Sequence, residues 1–329
     1  MEDLPLSFGD IVGACDRLSE HIHRTRLASS RLLDERVGAH VVLECENEQR
    51  TGSFKIRGAP NRMLQLSDHD RARGVVAASS GNHAQGVALA AATTGSAATV
   101  LMPADAPLSK IAATRSYGAR VELYDRRRMM PASLLEAFAA ETGATVIPPF
   151  DDPAVMAGQG TMALELLADS GPLDAVVVPL GGGGFLSGIA TVVRVLSPRT
   201  LEFGVVPADG DDWIRSLAVG RPVVIDPPRT IADGARTRQP GALTFRVVSR
   251  LADGVVTVSD DELRDAVRFL ALTMKLVAEP TGALGVAALL AGRVPVDRGS
   301  RVAAVVTGGN VDPEMLAAIL VGAPSEVPG

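Results

Sequence analysis

Only three of the 32 basic residues in this 329-residue chain are lysines: Lys55, Lys110 and Lys275. Lys55 sits in Gln49-Arg50-Thr51-Gly52-Ser53-Phe54-Lys55-Ile56-Arg57-Gly58, a Gly/Ser turn that follows the β-branched run Val41-Val42-Leu43. Arginine could not replace it as a nucleophile, because a guanidinium stays protonated. A desolvated lysine can lose its proton and form a Schiff base. Alone, the window reads more readily as a helix-start lysine facing solvent. Three further stretches expose backbone at the ends of apolar runs: Ser79-Ser80-Gly81-Asn82-His83, Gly181-Gly182-Gly183-Gly184 and Thr307-Gly308-Gly309-Asn310. In open α/β sheets, such strand ends are where ligands bind.

The glycine run is the strongest of these. Consecutive glycines let several N–H groups converge on one anion, and the helix start that follows adds its positive dipole end. No Gly-Lys-Ser/Thr follows, so it is not a Walker loop. The dinucleotide spacing and its acidic residue are also missing. One phosphate without a nucleotide signature, together with a candidate Schiff-base lysine, points to pyridoxal phosphate, which needs a lysine, a phosphate cup and a partner for its ring nitrogen.

Positioning these groups requires alternating strands and helices. Candidate strands are Val41–Glu46, Gly74–Ala78, Ala97–Met102, Arg120–Tyr124, Asp174–Pro179, Leu201–Val206, Val255–Val258 and Val302–Val306. Between them lie the amphipathic stretches His83–Thr93, Ser109–Tyr117, Ala132–Glu141, Thr161–Ala168, Phe185–Val195 and Asp261–Met274. The alternation predicts an α/β fold with parallel-rich sheets covered by helices. The units from Gly74 to about Thr145 form a small lobe of their own, residues 74–146, inserted in a larger cofactor-binding lobe of residues 1–73 and 147–329. Gly158-Gln159-Gly160 reads as the restart of the larger lobe, ahead of a new helix.

A net charge of −6 and 3% aromatic residues argue against a nucleic-acid surface. No apolar run suits a bilayer span, and the first residues lack a signal-peptide pattern. Cys15 and Cys45 make no CxxC pair, which fits a reducing cytoplasm. Cys45, in an apolar strand, is expected to be buried and inert.

The chain resembles the fold-type II pyridoxal-phosphate enzymes, the group of threonine/serine dehydratases, serine racemases and 3-hydroxyaspartate ammonia-lyases with a tryptophan synthase β-like fold. The resemblance rests on Ser53–Gly58, Ser79–Gly86, Gly158–Thr161, Pro179–Gly184, Thr230–Gly234, Glu279–Gly282 and Thr307–Asn310, which run in family order. It implies that Lys55 holds the cofactor and then serves as base at Cα. Phe54 would pack on the cofactor ring, Asn82 would bond its phenolic oxygen, Gly181, Gly182, Gly183 and Gly184 would cup the phosphate, and Thr307 would face the pyridine nitrogen. A hydroxyl there does not force ring protonation, which favours β-elimination over transamination. Ser79, Asn82 and His83 would bind the substrate carboxylate, and Thr237 would line the substrate side. Ser80 stands where racemases and 3-hydroxyaspartate ammonia-lyases carry serine on the face opposite the lysine, where a hydroxyl can relay a proton. A helix-cap serine is its plainer reading.

The family's cation site often begins with the Glu of Gly-Val-Glu-Pro. Here the segment reads Gly204-Val205-Val206-Pro207, so Val206 takes the ligand's place and Asp209, Asp211 and Asp212 remain. Weak or absent divalent-cation dependence is the expectation. Arg126-Arg127-Arg128, or Arg236 and Arg238, could reach a second acidic group on the substrate. Trp213 reads as packing. The expected function is a cytoplasmic lyase, homodimeric by resemblance, converting a β-hydroxy α-amino acid such as serine, threonine or 3-hydroxyaspartate to a 2-oxo acid and ammonia. The alternatives are a racemase using Lys55 and Ser80, a biosynthetic β-elimination or β-replacement on an unusual amino acid, and a cofactor-binding homologue without turnover.

Overall fold

The computed structural model describes residues 3–79, 81–106, 108–125 and 131–322. Ten strands occur among them: β1 (Leu27–Ser29), β2 (His40–Glu44), β3 (Val75–Ala78), β4 (Ala98–Pro103), β5 (Arg120–Tyr124), β6 (Thr145–Val146), β7 (Ala175–Pro179), β8 (Leu201–Pro207), β9 (Gly254–Val258) and β10 (Arg301–Val305). They form a six-stranded sheet, β1-β2-β10-β7-β8-β9, and a four-stranded sheet, β5-β4-β3-β6. Every pairing is parallel except β1 with β2. This is the expected α/β class. Parallel strands covered on both faces carry no polar alternation, and β7 accordingly reads Ala-Val-Val-Val-Pro and is buried throughout.

All four strands of the smaller sheet lie between residues 75 and 146. Their core, with Val75, Val100 and Met102 at its centre, also takes in Ala59, Met63 and Leu66. The helix Lys55–Met63 therefore packs against both sheets' helices and joins them.

The helix Pro153–Ser170 departs from the sequence reading. It begins five residues ahead of Gly158-Gln159-Gly160, where Asp152 accepts the capping bond from Val155 N at 3.0 Å and Pro153 occupies the first turn. The two glycines lie inside the helix and serve close packing. A Cβ on Gly158 would stand 2.2 Å from the Arg57 carbonyl oxygen, and one on Gly160 would stand 2.9 Å from that of Gly188. The stretch Asp261–Met274 also resolves into two parts, an α-helix Asp260–Phe269 and a π-helical turn Leu270–Met274.

Candidate active site

Lys55 opens the helix Lys55–Met63, and the chain just before it is pinned to the end of β10. Phe54 N donates to the Thr307 carbonyl at 3.1 Å, and Ser53 bridges Gly308. The turn reaching this point needs left-handed backbone at Thr51 and Gly52, with φ of 65° and 71°. A Cβ on Gly52 would meet Asn310 Oδ1 at 2.5 Å. Asn310 in turn donates to the Thr51 carbonyl at 2.7 Å and to Asn82 Oδ1 at 2.8 Å. Three distant segments thus converge on one point.

They line a cavity of about 340 Å³ between the two sheets. Lys55, Phe54, Ser79, Asn82, His83, Gly181, Gly182, Gly183, Gly184, Thr237 and Thr307 all face it. Arg236 lines it too, whereas Arg238 does not; Ser80 lies outside the described residues, as do Arg126, Arg127 and Arg128.

The Lys55 ammonium donates to the Pro149 carbonyl at 2.8 Å and lies 5.0 Å from the centre of the Phe54 ring. Burial disfavours its charge and brings its pKa down to about 8, with Glu279 pulling the other way. A lysine in this state has a reachable neutral form near physiological pH, as a Schiff-base nucleophile needs. Phe54 itself stacks on Phe185, with ring centres 4.1 Å apart.

The glycine loop links β7 to the helix Gly184–Leu196, whose first N–H groups point at the cavity's end. Side chains are excluded there by contact. A Cβ on Gly182 would lie 2.2 Å from the Phe150 ring, and one on Gly183, at φ +96°, would lie 2.5 Å from Trp213. Trp213 is fully buried, and its indole Nε1–H donates to the Gly181 carbonyl at 2.6 Å. It is a shaping residue of the loop as well as a packing one. The rare tryptophan was visible in the sequence, but its partner was not.

At the cavity's other end, the helix Asn82–Thr94 begins after Gly81, which donates to Ser79 Oγ at 3.2 Å. His83 is buried, and its Nε2 bonds the Ile147 carbonyl at 2.9 Å, so that nitrogen carries the proton and donates. Burial, then the nearby Lys55 charge, pushes its pKa down to about 3, against the Ile147 bond. It is a neutral imidazole. Thr237 donates to Asp212 Oδ2 at 3.2 Å, and burial raises that carboxyl to about 7. Of the other acids left in the altered cation segment, Asp209 accepts from Arg229 N and Asp211 pairs with Arg215. Val206 is buried. No group of three or more metal-ligating side chains occurs among the described residues.

Two charged residues of the cavity had no role in the sequence reading. Glu279 accepts from Asn82 Nδ2 at 2.5 Å, and burial, reinforced by Asp233, lifts its pKa to about 7. Lys110 forms an ion pair with Asp233. Burial works against its charge, but Asp233 and Glu279 outweigh that and raise its pKa. The available signal was the scarcity of lysine: two of the three line this cavity.

The residues fit pyridoxal phosphate. A buried lysine of lowered pKa, a loop where only glycine fits, and a hydroxyl at Thr307 are the three requirements met in one cavity. Comparison with known proteins agrees. The family described as "Pyridoxal-phosphate dependent enzyme" matches residues 18–308. The chain is 50% identical to the L-threo-3-hydroxyaspartate ammonia-lyase of Pseudomonas sp, over 96% of this chain and 99% of that one. It is 46% identical to the enzyme of the same name from Saccharomyces cerevisiae, over 96% and 97% of the two chains. Among solved structures, maize serine racemase superposes with a TM-score of 0.92 at 35% identity, covering 97% of this chain and 98% of that one. The chain belongs to the pyridoxal-phosphate dependent enzymes of fold type II, in the branch of ammonia-lyases that act by β-elimination, with racemases close by.

Proposed function

We propose that this protein converts a β-hydroxy α-amino acid, with L-threo-3-hydroxyaspartate foremost, to the 2-oxo acid and ammonia. The buried Lys55 is the observation that carries the reading, since among the described residues no other amine lines the glycine-lined cavity with its pKa lowered. The two similar ammonia-lyases support the choice of substrate.

Bound pyridoxal phosphate supplies an electron sink that acidifies the substrate Cα–H. The Gly181–Gly184 loop and the helix start behind it would hold the phosphate, and the Thr307 hydroxyl would serve the ring nitrogen. Asn82 orients the cofactor's phenolic oxygen, its amide held by Glu279 on one side and Asn310 on the other. Ser79 and the backbone N–H groups of Asn82 and His83 hold the substrate carboxylate; the His83 ring, whose one N–H goes to the Ile147 carbonyl, shapes the wall beside it. Lys55, once its Nζ is free, would take the Cα proton; the β-hydroxyl would take up a proton and leave as water, and one water would be consumed in hydrolysing the released enamine to 2-oxo acid and ammonia. Ser80 serves as the proton relay on the opposite face. The lobe of residues 74–146 closes over the substrate, with Lys110 and Asp233 meeting across the cleft. The protein works in the cytoplasm as a homodimer and without a divalent cation at the Val206 segment.

The test is release of 2-oxo acid from L-threo-3-hydroxyaspartate, L-serine and L-threonine by the cofactor-loaded protein. Oxo acid from at least one of them, most rapidly from hydroxyaspartate, is expected; none from any would refute the lyase. A second reading, amino-acid racemisation, is favoured by the likeness to maize serine racemase. Deuterium at Cα of inverted amino acid recovered from deuterated water would reveal it.

A further inference from the structure

The cavity contains an arginine with no acid to neutralise it. Arg236 lines the wall formed by Asp233–Thr237, and its Nε and Nη2 both donate to the Thr230 carbonyl, at 2.9 and 2.6 Å. Thr230 is itself buried and tied through its hydroxyl to Asp260 at 2.5 Å, so the anchor is rigid. Both bonds use the side fork of the guanidinium. The end-on fork of Nη1 and Nη2 keeps three N–H donors, in the planar spacing that matches a carboxylate.

Apart from Lys55, which the cofactor takes up, the other cations near the site are already occupied. Lys110 is paired with Asp233, and Arg57 lies between Glu46 and Glu165. Arg238 donates to the Ile225 carbonyl and does not line the cavity. Arg236 forms no ion pair among the described residues. Two anions already have places: the cofactor phosphate at Gly181–Gly184 and the substrate α-carboxylate at the start of Asn82–Thr94. An immobilised, unpaired guanidinium on the remaining wall calls for a third.

We propose that Arg236 binds the side-chain carboxylate of a four-carbon β-hydroxy dicarboxylic amino acid, and so sets the preference for it over serine and threonine. This rests on the reading of the cavity as an amino-acid site. The competing occupant is the cofactor phosphate, because the same segment touches the glycine loop: a Cβ on Gly181 would lie 3.0 Å from the Gly234 carbonyl oxygen.

The experiment compares wild-type holoenzyme with Arg236→Gln and Arg236→Lys. Binding of L-aspartate and L-alanine, which lack a β-hydroxyl to expel, is followed by the change in cofactor absorption, alongside cofactor affinity. In Arg236→Gln the ratio of L-aspartate to L-alanine affinity should fall about 10- to 100-fold, the usual loss for a charge-assisted bond. Lysine, lacking the fork, should restore only part of it. An equal loss for both amino acids, or a weakened hold on the cofactor, would assign Arg236 to the phosphate and overturn the proposal. An unchanged ratio would overturn it too. Aspartate binding needs no elimination, so failure of the lyase reading, seen as absent oxo acid from the wild type, is a separate result.

Discussion

Asn82 and Glu279, 197 residues apart, meet at 2.5 Å, the Asn82 amide donating to Glu279 Oε1. With Asn310 donating to the opposite end of the same amide, Asn82 cannot flip. One N–H of Asn82 is thereby left to point into the cavity. Glu279 is the anchor of this arrangement, and its carboxyl, raised to about 7 by burial and by Asp233, is half ionised near neutral pH.

Glu279→Gln should therefore keep the cofactor's visible band yet lower kcat/KM by about 10- to 100-fold, the range for losing a charge-assisted bond. Its kcat/KM profile should also lose an inflection near pH 7. A pH–rate profile of the two proteins checks both statements. An unaltered profile would remove Glu279 from the site's chemistry.

Gly183→Ala should abolish cofactor retention, because a Cβ there collides with Trp213 and Thr244 and the backbone sits at φ +96°. Gly95→Ala is the control. It is also left-handed, at φ +70°, but meets nothing within 4 Å, so only the backbone penalty of about 1–2 kcal/mol applies. Trp213→Phe should weaken cofactor binding more mildly, since it removes the indole N–H bond to the half-buried Gly181 carbonyl, a net loss of about 0.5–1.5 kcal/mol. Equilibrium dialysis of the cofactor, with thermal melts of the apoproteins, separates the three.

Behind Lys55 lies a buried chain of acids. Arg57, fully buried, donates to both oxygens of Glu46 at 2.9 and 2.7 Å, which fixes Glu46 as a carboxylate. Thr25 Oγ1 touches both Glu46 and Glu44, but a hydroxyl has one proton to give. Burial raises the Glu44 pKa to about 8, against the Thr25 bond, which lowers it. A carboxyl raised in the folded state stabilises the fold fully below the unfolded value of 4.5, and that contribution disappears as pH rises through about 8. Glu44→Gln should flatten the decline in melting temperature between pH 5 and pH 8.5. An equally steep decline in the variant would contradict the assignment.

Lys110 and its neighbour Ser109 reach from one sheet's helix to the other's loops, Lys110 to Asp233 and Ser109 to Asp312. If this pair closes the lobes, Lys110→Met should raise KM for the amino acid about tenfold while leaving cofactor affinity intact, the pattern of lost ground-state binding. Steady-state kinetics with cofactor titration tests it. A fall in kcat alone would place Lys110 in the chemistry.

The sequence made the strands legible where β-branched runs were long enough to stand out, as at Val176–Val178. It concealed Leu27–Ser29 and Thr145–Val146, which are too short to carry a period. Gly158-Gln159-Gly160 read as the restart of the larger lobe ahead of a new helix, because glycine more often precedes a helix than lies inside one. Only the crossing of two helices at Arg57 shows why a Cβ is forbidden there. The site's backbone parts were readable for the same reason that Gly181–Gly184 was: contiguous residues making one anion cup. Glu279, Trp213 and the Lys110–Asp233 pair were not, because their meaning lies in partners far along the chain.

The most direct measurement is the visible absorption of purified protein loaded with pyridoxal phosphate, recorded before and after adding L-threo-3-hydroxyaspartate, for wild type and Lys55→Ala. A visible band present only in the wild type, followed by release of oxaloacetate and ammonia, is the predicted result. A band of equal strength in Lys55→Ala, or a wild-type band that yields no oxo acid from any hydroxy amino acid, would contradict the account.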